Sequence, residues 1–143
     1  MARAKRPPTD FELLKAIYAK HRGDYIAYAE GARAAKIMVP IDIPSIANEL
    51  DADADSVFGR LYHHLDPQYA QEPDPTVGRR GRKSFFTLKA GDDANCINLP
   101  LLEAVLAGLW QQRRRDLFAV VASVVSLAIA TTALGVAIFS AAG

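Results

Sequence analysis

The chain has 143 residues, half of them hydrophobic, and its 17 basic and 16 acidic residues leave a net charge of +1 at pH 7. This near-neutral balance argues neither for nor against a nucleic-acid partner, so the distribution of the charges has to decide. The single cysteine, Cys96, excludes an internal disulfide, which suits a reducing cytosol. Each charged residue precedes Leu117, so we expect one soluble domain with a modest core and a separate uncharged tail.

The N-terminal segment is basic and leads into a helix start signal. We expect residues 1–8 to form a flexible basic tail. No apolar stretch follows these basic residues, so we do not expect a secretory signal. Thr9 and Glu12 match the capping box, in which each side chain accepts a hydrogen bond from the other residue's backbone N–H. With apolar residues following at helical spacing, this pattern predicts a helix over residues 10–22 that ends at Gly23.

An alanine-rich stretch and a short apolar run follow. We predict a second helix over residues 25–36, capped by Asp24 and weakened by Gly31. Residues 37–39 are apolar and are closed by Pro40, which predicts a brief edge strand.

Two short helices joined by a tight turn come next. Asp42 caps a predicted helix over residues 42–50, and the alternating Asp-Ala turn at 51–55 leads into a second predicted helix over residues 55–65. Pro67 is expected to end that helix at its preceding residue. This arrangement is a helix-turn-helix.

The remaining polar part predicts a loop, a hairpin and a helix. Residues 66–83 contain three prolines and are expected to be a loop. Aromatic and β-branched residues predict strands over 84–89 and 96–99, joined by turn residues 90–95 into a β-hairpin. A helix is expected to open at Pro100.

This order of elements resembles a winged helix-turn-helix domain. The residues that carry the resemblance are 41–65 and 84–99, and it covers about residues 9–110. It implies a mainly α fold with a small β-hairpin, in which helix 55–65 is the recognition helix and the hairpin is the wing. The resemblance, together with the basic loop before the wing, suggests contacts to a partner or a nucleic acid through Ser56, Arg60, His63, His64, Arg79, Arg80, Arg82 and Lys83.

The charges of the helix-turn-helix disfavour DNA. Residues 40–74 contain eight acids and one base, Arg60, and the predicted wing tip carries Asp92 and Asp93. A DNA reader should be basic there, because neutralisation of phosphates supplies much of the affinity. Winged helices also serve as protein-interaction modules, and an acidic recognition helix favours that use.

The basic loop cluster has three interpretations. Arg79, Arg80, Arg82 and Lys83 form either a solvated loop, a contact to anionic lipid headgroups, or a site for nucleic acid or an acidic partner.

No pattern predicts an enzyme, a metal site or a cofactor. His63 and His64 are neighbours on a helix and point about 100° apart, so they do not chelate together. Neither has a Cys or a further His one turn away, and the chain contains none of the common nucleotide-binding or hydrolase motifs. Cys96 is expected to be a small apolar filler, and His21 a charge near a helix C-terminus.

The tail predicts a membrane span. Residues 117–143 are uncharged and exceed the roughly 20 residues needed to cross a hydrocarbon layer about 30 Å thick. A buried core helix is the alternative, but a chain this short cannot surround an uncharged helix of that length. We therefore predict a basic tail at 1–8, a winged-helix-like domain at 9–112 and a transmembrane anchor at 113–143.

The flanks of the tail predict its orientation. Arg113, Arg114 and Arg115 stand directly before it and no base follows, and bases are retained on the cytoplasmic side. We therefore expect a tail-anchored, single-pass membrane protein with its N-terminal domain in the cytoplasm. Trp110 lies where an aromatic residue of the membrane interface would be useful.

Small residues recur along the predicted anchor. Ala122, Ser126 and Ala130 are spaced by four residues, as are Thr131 and Gly135, and such spacing lets helix backbones approach closely. Homo-oligomerisation through this helix is one interpretation, and chance spacing in an alanine-rich segment is the other.

Three functions remain open from the sequence. The leading hypothesis is a protein-interaction or regulatory module held at the membrane. The alternatives are a membrane-tethered DNA-binding transcriptional regulator and a small structural subunit of a membrane complex.

Overall fold

The computed structural model describes residues 6–73, 75–76 and 81–143. The protein is mainly helical, with a small three-stranded sheet and one long apolar C-terminal helix. It divides into two compact units, Met1–Ala107 and Gly108–Gly143. In chain order the elements are α1 (Asp10–Ile26), β1 (Met38–Pro40), α2 (Ile43–Glu49), α3 (Ala54–Gly59), a π-helical segment (Arg60–Leu65), α4 (Asp66–Tyr69), β2 (Phe86–Ala90), β3 (Asp93–Asn98) and α5 (Leu99–Ala142).

The start of α1 is confirmed and its predicted end is wrong. The Thr9 hydroxyl accepts from the Glu12 N–H at 3.2 Å, and the Glu12 carboxylate accepts from the Thr9 N–H at 2.7 Å. The helix passes through Gly23 and ends at Ile26. A glycine stops a helix when it adopts a positive φ, and Gly23 does not adopt one.

The predicted helix over residues 25–36 is wrong beyond Ile26. α1 ends at Ile26, and further along the chain Gly31 adopts φ +85°, which lies outside the helical region. The side chain of Arg33 supplies hydrogen-bond donors to backbone carbonyl groups of this irregular segment and of α1. It stacks on the ring of Tyr28 at 4.9 Å from the centroid and donates to the carbonyl oxygens of Asp24, Ala35 and Lys36.

The sheet confirms an edge strand and a hairpin with shifted bounds: the edge strand includes Pro40, and the first hairpin strand begins at Phe86 and not at residue 84. Its order is β1-β3-β2, all antiparallel, with Val39 and Phe86 both opposite Ile97. The predicted turn over residues 90–95 is too long, since β3 begins at Asp93. Gly91 makes the tight turn with φ +62°, so the strand pairing extends further towards the tip than the turn residues suggested.

Both helices of the helix-turn-helix are capped by aspartates. The carboxylate of Asp42 accepts from the Ser45 N–H at 3.0 Å to open α2, and that of Asp53 accepts from the Ser56 N–H at 2.9 Å to open α3.

The predicted helix end before Pro67 is wrong. The helical path continues from α3 through the π-helical segment into α4, which ends at Tyr69. Pro67 falls in the first turn of α4, where its missing N–H costs little. The predicted loop over 66–83 therefore begins with helix.

The core of the first unit collects apolar side chains from the helices and the sheet. Cys96 is fully buried among them, as expected of a small filler, and burial raises the pKa of its thiol. His21, expected as a charge at a helix end, is instead buried within α1, with Nδ1 3.2 Å from the Asp24 carboxylate. The largest fully buried side chains include Leu13, Leu14, Ile17, Ile46, Leu61, Leu65, Phe85, Phe86, Ile97 and Leu102.

The helix predicted to open at Pro100 begins one residue earlier, at Leu99. The side-chain oxygen of Asn98 accepts from the Leu101 N–H at 3.2 Å and supports this start. Leu99 and Leu102 are buried, whereas the residues from 110 to 143 are exposed.

Candidate interaction surfaces and membrane segment

Within the described ranges, α5 is the one helix that is long and apolar enough to cross a membrane, judged by length and composition. Its most apolar stretch has a mean hydropathy of 2.3, and none of that stretch is buried. An uncharged, unburied helix of this length is stable in water only if something apolar covers it. The predicted span is therefore a candidate membrane segment.

A tryptophan and three arginines directly precede the candidate span. Trp110 is about half exposed (52%), and the guanidinium of Arg114 lies 4.9 Å from the centroid of its ring. Arg113 and Arg115 are also exposed. A tryptophan combined with arginines is typical of the interface between hydrocarbon and headgroups.

The two hydroxyl groups among the regularly spaced small residues of the predicted anchor form hydrogen bonds within the helix. The hydroxyl of Ser126 donates to the Ala122 carbonyl at 2.8 Å, and that of Thr131 donates to the Ala128 carbonyl at 2.9 Å. Ala130 and Gly135 are exposed. Association through this face stays a prediction.

Two of the predicted contact residues turn towards α1. The Nε of Arg60 lies 2.8 Å from the Asp10 carboxylate, and the Nε2 of His64 lies 3.8 Å from the same carboxylate. Arg60 also donates to the carbonyl oxygen of Pro8. The one base of residues 40–74 is thus held by neighbours within the domain.

The other two contact residues on this helical stretch stay at the surface. Ser56 is exposed and lines a cavity of about 250 Å³ together with Asp53 and Arg60. His63 is exposed, and its ring meets that of Tyr62 edge-on at 4.9 Å.

Arg82 belongs to a cluster that the sequence did not reveal. Asp66, which is buried, accepts from the backbone N–H groups of Phe85 at 2.8 Å and Phe86 at 3.0 Å. Its other oxygen accepts from Arg82 at 3.1 Å, and Arg82 also donates to Glu72 at 3.2 Å. These bonds, led by the one to Asp66, raise the pKa of Arg82.

A signal for this cluster did exist in the sequence. Asp66 directly follows Leu65, at the edge of the apolar stripe of the predicted helix, and a carboxylate buried there needs donors.

The rest of the basic loop is described only in part. Arg79 and Arg80 lie outside the described residues. Lys83 is exposed, and its backbone exchanges two hydrogen bonds with Gln71, both at 2.9 Å.

Two depressions flank β2. The first, which we call the helix–strand groove, has a volume of about 490 Å³ and lies between the π-helical segment and β2. Its lining includes Tyr62, His63, Asp66, Pro67, Phe86 and Leu88. The second, which we call the lysine depression, has a volume of about 320 Å³, and its lining includes Lys83, Ser84, Thr87 and Lys89.

In the part of the chain that the structure describes, no three His, Cys, Asp or Glu side chains come together in a way that could hold a metal ion. His63 and His64 in particular form no such group.

Comparisons of the chain with protein-family models, with curated proteins and with solved structures found no match. A function is therefore inferred from the geometry and the charges of the residues above.

Proposed function

We propose that the protein crosses the membrane once and that its winged-helix-like domain, residues 9–112, binds a protein partner at the cytosolic face. One observation carries the choice of a protein over DNA. Arg60, the one base of the helix-turn-helix, is held by Asp10 and by the Pro8 carbonyl. A DNA phosphate would have to displace these two contacts in order to bind Arg60.

The order of elements supports the winged-helix assignment. α1 and β1 precede the two capped helices α2 and α3, and the β2–β3 hairpin follows. β1 pairs with β3, so the hairpin is joined to the domain by a third strand. This is the arrangement expected of a helix-turn-helix with a wing.

The exposed charges around the helix-turn-helix support a protein partner. They are predominantly negative and would repel a nucleic-acid backbone. A protein partner avoids this repulsion if the residues that face these acids are neutral or basic. The exposed acids are Asp42, Glu49, Asp51, Asp53 and Asp55.

The arginines before the span support the cytosolic orientation. Arg113, Arg114 and Arg115 lie on the N-terminal side of the uncharged stretch of α5. Translocation of such a cluster across the membrane is disfavoured, so the domain before it stays inside.

The proposal is tested with the full chain. We expect it to stay in the pellet after carbonate washing of membranes, and in neutral-lipid nanodiscs to leave duplex DNA unshifted at about 0.15 M salt. A photo-crosslinking residue in place of Ser56 should give a protein adduct in cells, whereas the same residue in place of Lys15, exposed on α1, serves as the matched control. Retardation of duplex DNA, or release of the chain by carbonate, would overturn the proposal.

A further inference from the structure

β2 is an edge strand, and its outer side carries backbone groups that another strand could pair with. The N–H of Asn98 donates to the Phe85 carbonyl at 2.9 Å, so Phe85 presents its carbonyl to β3. Because successive residues of a strand point their backbone groups in opposite directions, the carbonyl of Phe86 and the N–H of Leu88 face away from β3.

Among the residues that the structure describes, partners on the outer side of this segment reach as far as Phe86. Gln71 pairs with Lys83, and Asp66 accepts the N–H of Phe86. Beyond that point, no hydrogen bond from another element reaches Leu88 within the described residues. An edge with an outward acceptor and an outward donor is a template for an extended polypeptide.

The helix–strand groove gives such a polypeptide an apolar surface. Leu88 is 46% exposed and Tyr62 is 39% exposed, and both line this groove. Side chains of an added strand alternate between the two faces of the sheet, so every second one would enter the groove. Aliphatic or aromatic residues suit those positions.

The lysine depression, on the other face of the sheet, favours acidic side chains. It is lined by Lys83 and Lys89, and in the described part of the chain neither lysine forms an ion pair. The neighbouring Arg82 is already paired with Asp66 and Glu72. Alternate side chains of an added strand would meet these two ammonium groups, which favours Asp or Glu there.

We propose that the outer edge of β2 binds an extended peptide in which apolar and acidic residues alternate. The peptide lies along β2, with backbone bonds to Phe86 and Leu88, apolar side chains in the helix–strand groove and carboxylates over the lysine depression. This inference rests on the proposed function, because it names the class of partner that the domain binds.

The probes are two synthetic nonapeptides, one of alternating valine and glutamate and one of alternating valine and lysine. With the full chain in neutral-lipid nanodiscs, fluorescence anisotropy should show at least about tenfold tighter binding of the glutamate peptide. Bound glutamate peptide should also slow hydrogen exchange at the Leu88 amide, which a purely electrostatic attraction would not do. Equal binding of the two peptides, or no binding of either, would overturn the inference.

Reversing the charges of the two lysines tests the lysine depression directly. The double variant Lys83→Glu, Lys89→Glu should weaken the glutamate peptide by about tenfold or more and strengthen the lysine peptide. Lys15→Glu, an exposed charge reversal on α1, is the control and should leave both affinities within about twofold. Unchanged affinities in the double variant would contradict the assignment of the lysine depression.

The two proposals can fail separately. Retardation of duplex DNA overturns the proposed function whatever the peptides do. A chain that resists carbonate, leaves DNA unshifted and crosslinks to protein through residue 56, yet ignores the glutamate peptide, overturns only the β2 inference.

Discussion

The buried carboxylate of Asp66 accepts the backbone N–H of Phe85 at 2.8 Å, and this bond joins the end of the helical path to the start of the hairpin. Asp66 also accepts from Phe86 and from Arg82, so both of its oxygens are used. The helix predicted to stop at this residue continues to Tyr69, and the Asp66 side chain anchors a segment that follows much later in the chain.

Replacement of Asp66 should destabilise the domain. Asp66→Ala leaves the buried N–H groups of Phe85 and Phe86 without an acceptor, which we expect to cost about 2–4 kcal/mol of unfolding free energy. Asp66→Asn keeps one acceptor and should cost less. Denaturant unfolding of the full chain in detergent, followed by hydrogen exchange at the Phe85 amide, measures this change.

Glu72→Gln is the matched control for that series. Glu72 also pairs with Arg82, but its side chain is 75% exposed, so its loss should cost less than about 0.5 kcal/mol. A loss at Glu72 as large as that at Asp66 would contradict the assignment of the buried carboxylate as the anchor.

The capping box predicts that the stability of the start of α1 depends on pH. Hydrogen bonds from the backbone and hydroxyl of Thr9, together with Arg6, lower the pKa of Glu12 from 4.5 to about 2. A depressed folded-state pKa means that the ionised cap stabilises the helix start above pH 4.5 and that this contribution is lost as the pH falls towards about 2.

NMR titration of the Glu12 carboxyl checks this expectation. Thr9→Ala removes the hydroxyl and should move the Glu12 pKa back up, whereas Thr9→Ser keeps it and should leave the pKa low. An ordinary pKa of Glu12 in the wild-type chain would contradict the cap.

Two glycines should respond oppositely to alanine. Gly91 has φ +62° and its Cβ position is blocked by Ala34, so Gly91→Ala should cost about 1–3 kcal/mol. Gly59 lies in a helical conformation with open space around it, so Gly59→Ala should stabilise by about 0.5–1 kcal/mol. Thermal unfolding of the two variants, measured in parallel, checks the signs; the same sign for both would contradict the tight hairpin turn.

The orientation of the span should depend on the three arginines before it. Replacing Arg113, Arg114 and Arg115 with serine removes the charge bias that we propose keeps the domain in the cytosol, and we expect a measurable fraction of inverted molecules. Protease protection in sealed vesicles reports the orientation. Arg22→Ser, a loss of charge on α1 far from the span in sequence, should change nothing, and an unchanged orientation in the triple variant would contradict the assigned topology.

The caps and the apolar tail were readable from the sequence because their causes are local. Thr9 with Glu12, Asp42 with Ser45, and the uncharged stretch of α5 each involve neighbours along the chain. The starts of α1 and α2 and the hairpin depend on such short-range contacts and are confirmed, and the uncharged tail forms one long apolar helix, as its composition predicts.

Only the tertiary structure decided where several elements end and which side chains stay accessible. The helical path continues past the expected stop to Tyr69, the Asp66 carboxylate accepts bonds from residues 19 and 20 positions later, and Arg60 pairs with Asp10. Residues 27–37 are irregular although they are rich in alanine, and the Arg33 side chain donates to the carbonyl oxygens of Ala35 and Lys36. These outcomes depend on contacts between groups that packing brings together, and the spacing of residues along the chain does not predict such contacts.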